Sequence, residues 1–182
     1  MSRVLYVLAC GAGPAADVGS LAALAQSDGW DVYVGATPAG WSFLDVDGIS
    51  ALTGHPPRHD YSGRTSGWPP ADGIVVAAAT LNTVGKFAAG IADNWALSVM
   101  TEAFGQRVPL VIAPNLNPAL ARHPRFRQNV ADLRAWGVTV LWDPDPEPPT
   151  WMAPWSAMLE ALNSAVPGDQ GNCPSRCNER RP

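Results

Sequence analysis

The sequence predicts an α/β fold, a doubly wound parallel sheet of about five or six strands with helices on both faces. Three observations carry this expectation. Apolar runs rich in Val, Leu and Ile recur at residues 3–9, 30–36, 74–79, 108–113 and 138–142, each too short for a helix and lacking the polar alternation of a half-exposed strand. Segments with helical spacing separate the runs. The third run, from Ile74 to Ala79, passes straight into Thr80, Asn82 and Thr83 and then into small residues, the strand-turn-helix junction at which open parallel sheets hold ligands.

Each element follows from local chemistry. The first strand leads into Cys10-Gly11-Ala12-Gly13-Pro14, whose glycines either let backbone N–H groups approach a ligand or simply turn the chain into a helix over 15–26, with Val18, Leu21, Ala22 and Ala25 on one face. After the second strand, Thr37-Pro38 opens a short helix with Thr37 as cap and Pro38 at the first helical position; the same hydroxyl serves equally to bind phosphate. Residues 47–72 are rich in Gly, Pro, His and Ser without clear periodicity and read as a loop near the site. Thr80, Asn82 and Thr83 either cap the next helix or grip a ligand. A helical region then runs over 80–104, broken or bent near Asp93-Asn94, with Gly85, Ala88, Ala89 and Gly90 permitting close packing. Another helix follows at 125–136, and 143–149 is a Pro/Asp linker. Residues 151–162 read as a last amphipathic helix. One domain is expected over 1–165, with a disordered tail over 166–182.

Composition narrows the function. A chain of 182 residues that is 47% hydrophobic can bury one good core. The net charge of −4, with Lys86 the only lysine and the arginines scattered, argues against nucleic acid as a partner. No apolar run reaches the length of a membrane span, and the first strand is too short for a signal-peptide core, so a cytoplasmic protein is expected. Cys173 and Cys177 form a C-x-x-x-C without the histidine or second cysteine pair of a zinc site, and no metal is expected. Cys10, at a strand end, reads as a small buried residue.

The segment Ala78-Ala79-Thr80-Leu81-Asn82-Thr83 resembles the P-A-S/T-A-N-T signature of the homo-oligomeric flavin-containing cysteine decarboxylases, the family of phosphopantothenoylcysteine decarboxylase, lantibiotic decarboxylases and plant halotolerance proteins. Its continuation from Lys86 to Asn94, K-F-A-A-G-I-A-D-N, is similar to that family's K-x-A-x-G-I-A-D-N. Pro114-Asn115-Leu116-Asn117-Pro118-Ala119-Leu120 matches part of a second signature, P-A-M-N-x-x-M. Thr37-Pro38-Ala39-Gly40-Trp41-Ser42-Phe43 is similar to T-x-x-A-x-x-F after the second strand, and the likeness spans roughly residues 3–142.

The resemblance implies a Rossmann-like flavoprotein that binds FMN through Gly11, Ala12, Gly13, Thr37, Pro38, Ala39, Thr80, Leu81, Asn82 and Thr83. It places Asn115 beside the flavin and Asn117 at a substrate carboxylate. It further implies a lyase that decarboxylates a small-molecule or peptide carboxylate, assembled as a homo-trimer or dodecamer. The sequence departs from the family where catalysis is concerned. Arg64 stands at the position of the catalytic histidine, and a guanidinium stays charged at neutral pH and cannot shuttle a proton as imidazole does. His59 lies five residues earlier, and His55 further back. Ala78 and Leu116 replace Pro and Met as apolar substitutions, and the family's late cysteine-bearing clamp has no clear counterpart. Two readings follow: an FMN-dependent decarboxylase with an altered acid/base group, or a non-catalytic flavin-binding or regulatory protein. Flavin prenyltransferase chemistry is a third, without matching prenyl-phosphate residues.

Overall fold

The chain was analysed as a computed structural model that describes residues 2–61, 67–144 and 152–166. Arg3–Ala9 (β1), Trp30–Ala36 (β2), Gly73–Ala79 (β3), Leu110–Pro114 (β4) and Thr139–Val140 (β5) pair in parallel in the spatial order β2-β1-β3-β4-β5. This is the expected doubly wound sheet. Strand order reverses direction at β1, which opens a crevice between the C-terminal ends of β1 and β3.

The helices are Val18–Ser27 (α1), Pro38–Trp41 (α2), Val46–Thr53 (α3), Leu81–Ala88 (α4), Trp95–Gly105 (α5), Pro118–Ala121 (α6), Pro124–Ala135 (α7) and Trp155–Ala165 (α8). Successive strand side chains point to opposite faces, so two cores form. Leu5, Val7, Val32, Val34, Val75 and Val111 pack with α1, Ile49 of α3, and α8. Leu8, Ile74, Val76 and Ile112 pack with α4, α5 and α7 around Phe126 and Met100. Because both faces are covered, the strands carry apolar residues on both sides, which is why no alternation is visible in the sequence.

Three expectations need correction, and one choice between two readings is resolved. Residues 46–53 are helical, inside the stretch read as loop. Asp45 caps this helix by accepting from the Gly48 N–H at 3.0 Å, and Gly54 ends it in the left-handed region at φ 76°. Of the two readings of the region over 80–104, broken or bent, the break holds: it is two helices, as expected near Asp93-Asn94. The chain leaves the first at Gly90 (φ 70°), and Asn94 caps the second by accepting from Leu97 N–H at 3.1 Å. The fifth strand shrinks to two residues because it is an edge, where the Arg134 guanidinium takes the carbonyls of Val140 (2.8 Å) and Trp142 (2.6 Å). The last helix begins at Trp155 rather than 151, since Pro154 disfavours helical geometry in the residue before it. Arg64, Trp151, Cys173, Cys177 and the tail beyond Val166 lie outside the described residues.

Candidate functional site

Backbone hydrogen bonds lace the C-terminal strand ends together. Thr37 N–H donates to Ala9 C=O at 2.9 Å, Cys10 N–H to Ala77 C=O at 3.2 Å, and Asn115 N–H to Ala79 C=O at 2.9 Å. Neighbouring strands lie about 4.8 Å apart, so the turns after β2, β1, β3 and β4 fall within a span of roughly 15 Å. The structure therefore brings Gly11, Thr37, Thr80 and Asn115 to one edge.

Two glycines make this edge compact. A Cβ on Gly11 would fall 2.7 Å from the Ala39 Cβ, so the first turn rests on the second only because Gly11 has no side chain. A Cβ on Gly40 would fall 2.3 Å from the Ala9 carbonyl oxygen, where α2 crosses the end of β1. The space beside Gly13 is open, with nothing within 4 Å of a Cβ built there. Gly40 escaped the sequence reading. Its signal was a glycine inside the first turn of a helix, where nothing local asks for one.

The hydroxyls are part cap, part free donor. Thr37 accepts from Gly40 N–H at 3.0 Å, and Thr80 accepts from Thr83 N–H at 3.3 Å while its oxygen sits 3.1 Å from the Thr83 hydroxyl. Both roles considered from sequence are compatible, because a hydroxyl that accepts a cap bond still has a proton to donate. The Gly11 and Gly13 N–H groups make no hydrogen bond among the described residues, and the first-turn N–H groups of Leu81 and Asn82 are of the kind a helix leaves without intrahelical partners. Pro38, Ala39 and Asn82 are exposed at this edge, with Ala12 partly buried beside them. Asn117 is exposed and caps α6 through its side-chain oxygen, which accepts from Leu120 N–H at 2.9 Å and leaves its amide NH2 outward as a donor. This donor set, N–H and hydroxyl groups rather than cationic side chains, fits a phosphate ester carried by helix N-termini.

Ala78 has φ 54° at an irregularity in the β3–β4 register. That conformation is closed to proline, whose ring fixes φ near −65°. A proline here would have to take a different backbone path, so Ala78 is more than an apolar substitution at this strand end. Strain of this kind in a non-glycine residue concentrates where a fold positions functional groups.

Cys10 is fully buried beneath the edge. Burial pushes its thiol up from 9.0 to about 11, partly offset by hydrogen bonding with the Thr83 side chain and the Thr80 backbone. Between pH 9 and 11 the unfolded thiol loses its proton while the folded one keeps it, so stability falls as pH rises through that window and is untouched below it. The loss should reach about 2–3 kcal/mol by the top of the window. Tyr6, raised from 10.0 to about 12, acts in the same direction but starts later. Denaturant titrations of wild type and Cys10→Ala from pH 8 to 11 check this; parallel curves would acquit the thiol.

The histidines separate. His55 stacks on Tyr33 (ring centroids 3.9 Å apart) and bonds Asp31 at 2.8 Å, low on β2 and away from the edge. His59 stacks on Trp41, the last residue of α2, at 4.1 Å, and its neighbour Arg58 bridges Gly35 on the outer side of β2. It therefore lies at the edge. His123 caps α7, its Nδ1 accepting from Arg125 N–H at 3.1 Å. Trp68 joins Tyr6, Tyr33 and Trp95 over a sheet face. A cavity of about 250 Å³ adjoins the edge between α4 and α7. Its buried Asn129 was missed, although a polar residue at the core spacing of Phe126, Val130 and Leu133 signals it. No helix among the described residues is long and apolar enough to cross a membrane, and no cluster of three or more His, Cys, Asp or Glu is placed for a metal.

With an α/β sheet whose strand ends pool phosphate-type donors, comparison with known proteins becomes specific. The chain belongs to the Flavoprotein family, whose model matches residues 4–166. It is similar to the phosphopantothenoylcysteine decarboxylase of Mus musculus, 42% identical over 67 residues; the match covers 37% of this chain and 32% of the mouse sequence. The chain thus matches less than two thirds of that relative's length. Among solved structures it resembles the FMN-dependent cysteine decarboxylase SpaF (28% identity, TM-score 0.73, 92% of this chain and 98% of that one). It shares the fold of TvaF, an FMN-dependent cysteine decarboxylase from thioviridamide biosynthesis (24% identity, TM-score 0.75, 90% and 98%).

Proposed function

We propose that this chain binds FMN across the ends of β2, β1, β3 and β4 and uses it in a decarboxylation or redox step on a small carboxylate or a peptide C-terminus. The observation that carries this reading is the lacing of four β-to-α turns into one donor-rich edge. Gly11, Ala12, Gly13, Thr37 and the Thr80–Thr83 turn would hold the phosphate, with Pro38, Ala39 and Asn115 along the ring. The outward amide of Asn117 would donate to a substrate carboxylate. FMN, when bound, supplies a hydride acceptor. His59 is the imidazole at this edge and is assigned the proton transfer that Arg64 cannot perform, with Trp41 fixing its ring by stacking. A homo-trimer or a multiple of it is proposed with this site.

The purified protein should be yellow and release FMN on denaturation, identified by mass. Asn82→Asp should lower FMN retention by at least about tenfold through repulsion of the phosphate; undiminished retention would remove Asn82 from the cradle. Carbon dioxide release from cysteine-terminated peptides, lost in His59→Gln, would complete the case. Arg64 at the histidine position favours a second reading, a flavin-binding regulatory protein without turnover. Colour without carbon dioxide release, unchanged in Arg64→His, would select it. A protein that takes up no flavin even on reconstitution would end both readings.

A further inference from the structure

The cavity between α4 and α7 is chemically asymmetric. Leu81, Ile91 and Phe126 form apolar wall, while Asn82, Arg125 and Asn129 bring donors to the same space. Asn129 is only 8% exposed, yet its amide makes no hydrogen bond among the described residues. No buried side-chain polar atom among the described residues lacks a partner, so the small accessible part of Asn129 includes its amide, which opens on the cavity as a hydrogen-bonding group. What it faces is the glycine of the opposite helix, since a Cβ built on Gly85 would meet the Asn129 Nδ2 at 3.6 Å.

The charges point the same way. No acidic residue among the described ones lines the cavity. Lys86, on its rim, is already paired with Asp93 at 2.6 Å, whereas the exposed Arg125 has no ion pair among the described residues. His123 uses its Nδ1 as the cap acceptor for Arg125 N–H, which leaves Nε2 as the ring nitrogen available to a ligand. At about 250 Å³ the space is smaller than a drug-sized pocket and suits a molecule of a few carbons.

We propose that this cavity binds a short carboxylate with an apolar body. Arg125 and His123 Nε2 meet the carboxylate, the Asn129 amide donates to it, and Leu81, Ile91 and Phe126 enclose the tail. One unpaired cation beside an apolar wall matches a monoanion with a hydrocarbon chain better than a phosphate dianion. The site stands on these side chains alone and does not require flavin.

Butyrate is the probe, with n-butanol as the uncharged control and inorganic phosphate as the competing anion. Titrations use the full chain with flavin present and after its removal, so that this site and the flavin cradle pass or fail separately. Butyrate should saturably shift the Asn129 side-chain amide resonance, and butanol should not. Arg125→Gln, an exposed change that does not threaten the fold, should weaken binding about tenfold or more. Gly85→Leu should fill the space and abolish binding. If Gly85→Leu fails to fold, Arg125→Gln decides alone. An equal response to butanol, tighter binding of phosphate, or unchanged butyrate affinity in Arg125→Gln would overturn the assignment. So would a Gly85→Leu protein with altered oligomeric state and intact butyrate binding, because the cavity would then be a subunit contact.

Discussion

Gly40→Ala is expected to destabilise the protein by about 3 kcal/mol or more and to strip the edge of its ligand. The new methyl carbon would lie 2.3 Å from the Ala9 carbonyl oxygen, 2.9 Å from the Ala9 carbonyl carbon and 3.1 Å from that of Cys10. All three are backbone atoms, so no side-chain rotation relieves the collision. Either α2 or the end of β1 must move. Movement breaks the Thr37 N–H bond to Ala9 and the Thr37 cap on Gly40. Overpacking costs about 1–3 kcal/mol, and a lost cap and a lost hydrogen bond each add about 1. Urea unfolding should show a lower midpoint at unchanged slope, and flavin retention should fall in parallel. A variant within about 0.5 kcal/mol of wild type, inside the range of ordinary surface changes, would mean that the turn yields freely and that the edge is not rigidly built.

Phe126→Ala should cost about 3–5 kcal/mol. The ring is fully buried at the centre of the second core and meets Trp142 edge-on, with centroids 5.0 Å apart at 85°. Its removal would merge the vacated volume with the cavity between α4 and α7, which Phe126 also lines. Such a site cannot collapse easily, because β4 lies on one side and Gly85 offers no side chain to fill the gap. Phe126→Leu keeps most of the volume and should lose distinctly less. Thermal and urea unfolding of the two variants check this, and a loss below about 2 kcal/mol for Ala would show that the neighbours close in.

How much of this could be read from the residues depended on where the governing interaction lies. β1 and β2 were legible to the residue because a short apolar run bounded by Gly and Pro has one reading in a parallel sheet. Thr37 as cap and Pro38 at the first helical position were equally local. The helix at 46–53 was hidden because its buried face amounts to Ile49 and Thr53, too few apolar positions to stand out among Gly, Pro and Ser. β5 was overread since its neighbours are carbonyls captured by an arginine, a contact no local pattern records. At the site, the turns were visible in sequence but their lacing was not. Gly40 and Asn129 answer to partners 31 and 44 residues away, Ala9 and Gly85 respectively.

Each lateral rim of the sheet is capped near one end. Arg58 pairs with the outer side of β2 through its N–H to Val34 and its carbonyl to Ala36, and Arg134 engages the carbonyls beyond β4's last neighbour. These caps work against copies of this chain continuing one another's ladders, the route that leads to open-ended fibres. That tilts self-association toward helix and turn surfaces, whose side chains fit in few orientations and so favour closed, countable assemblies.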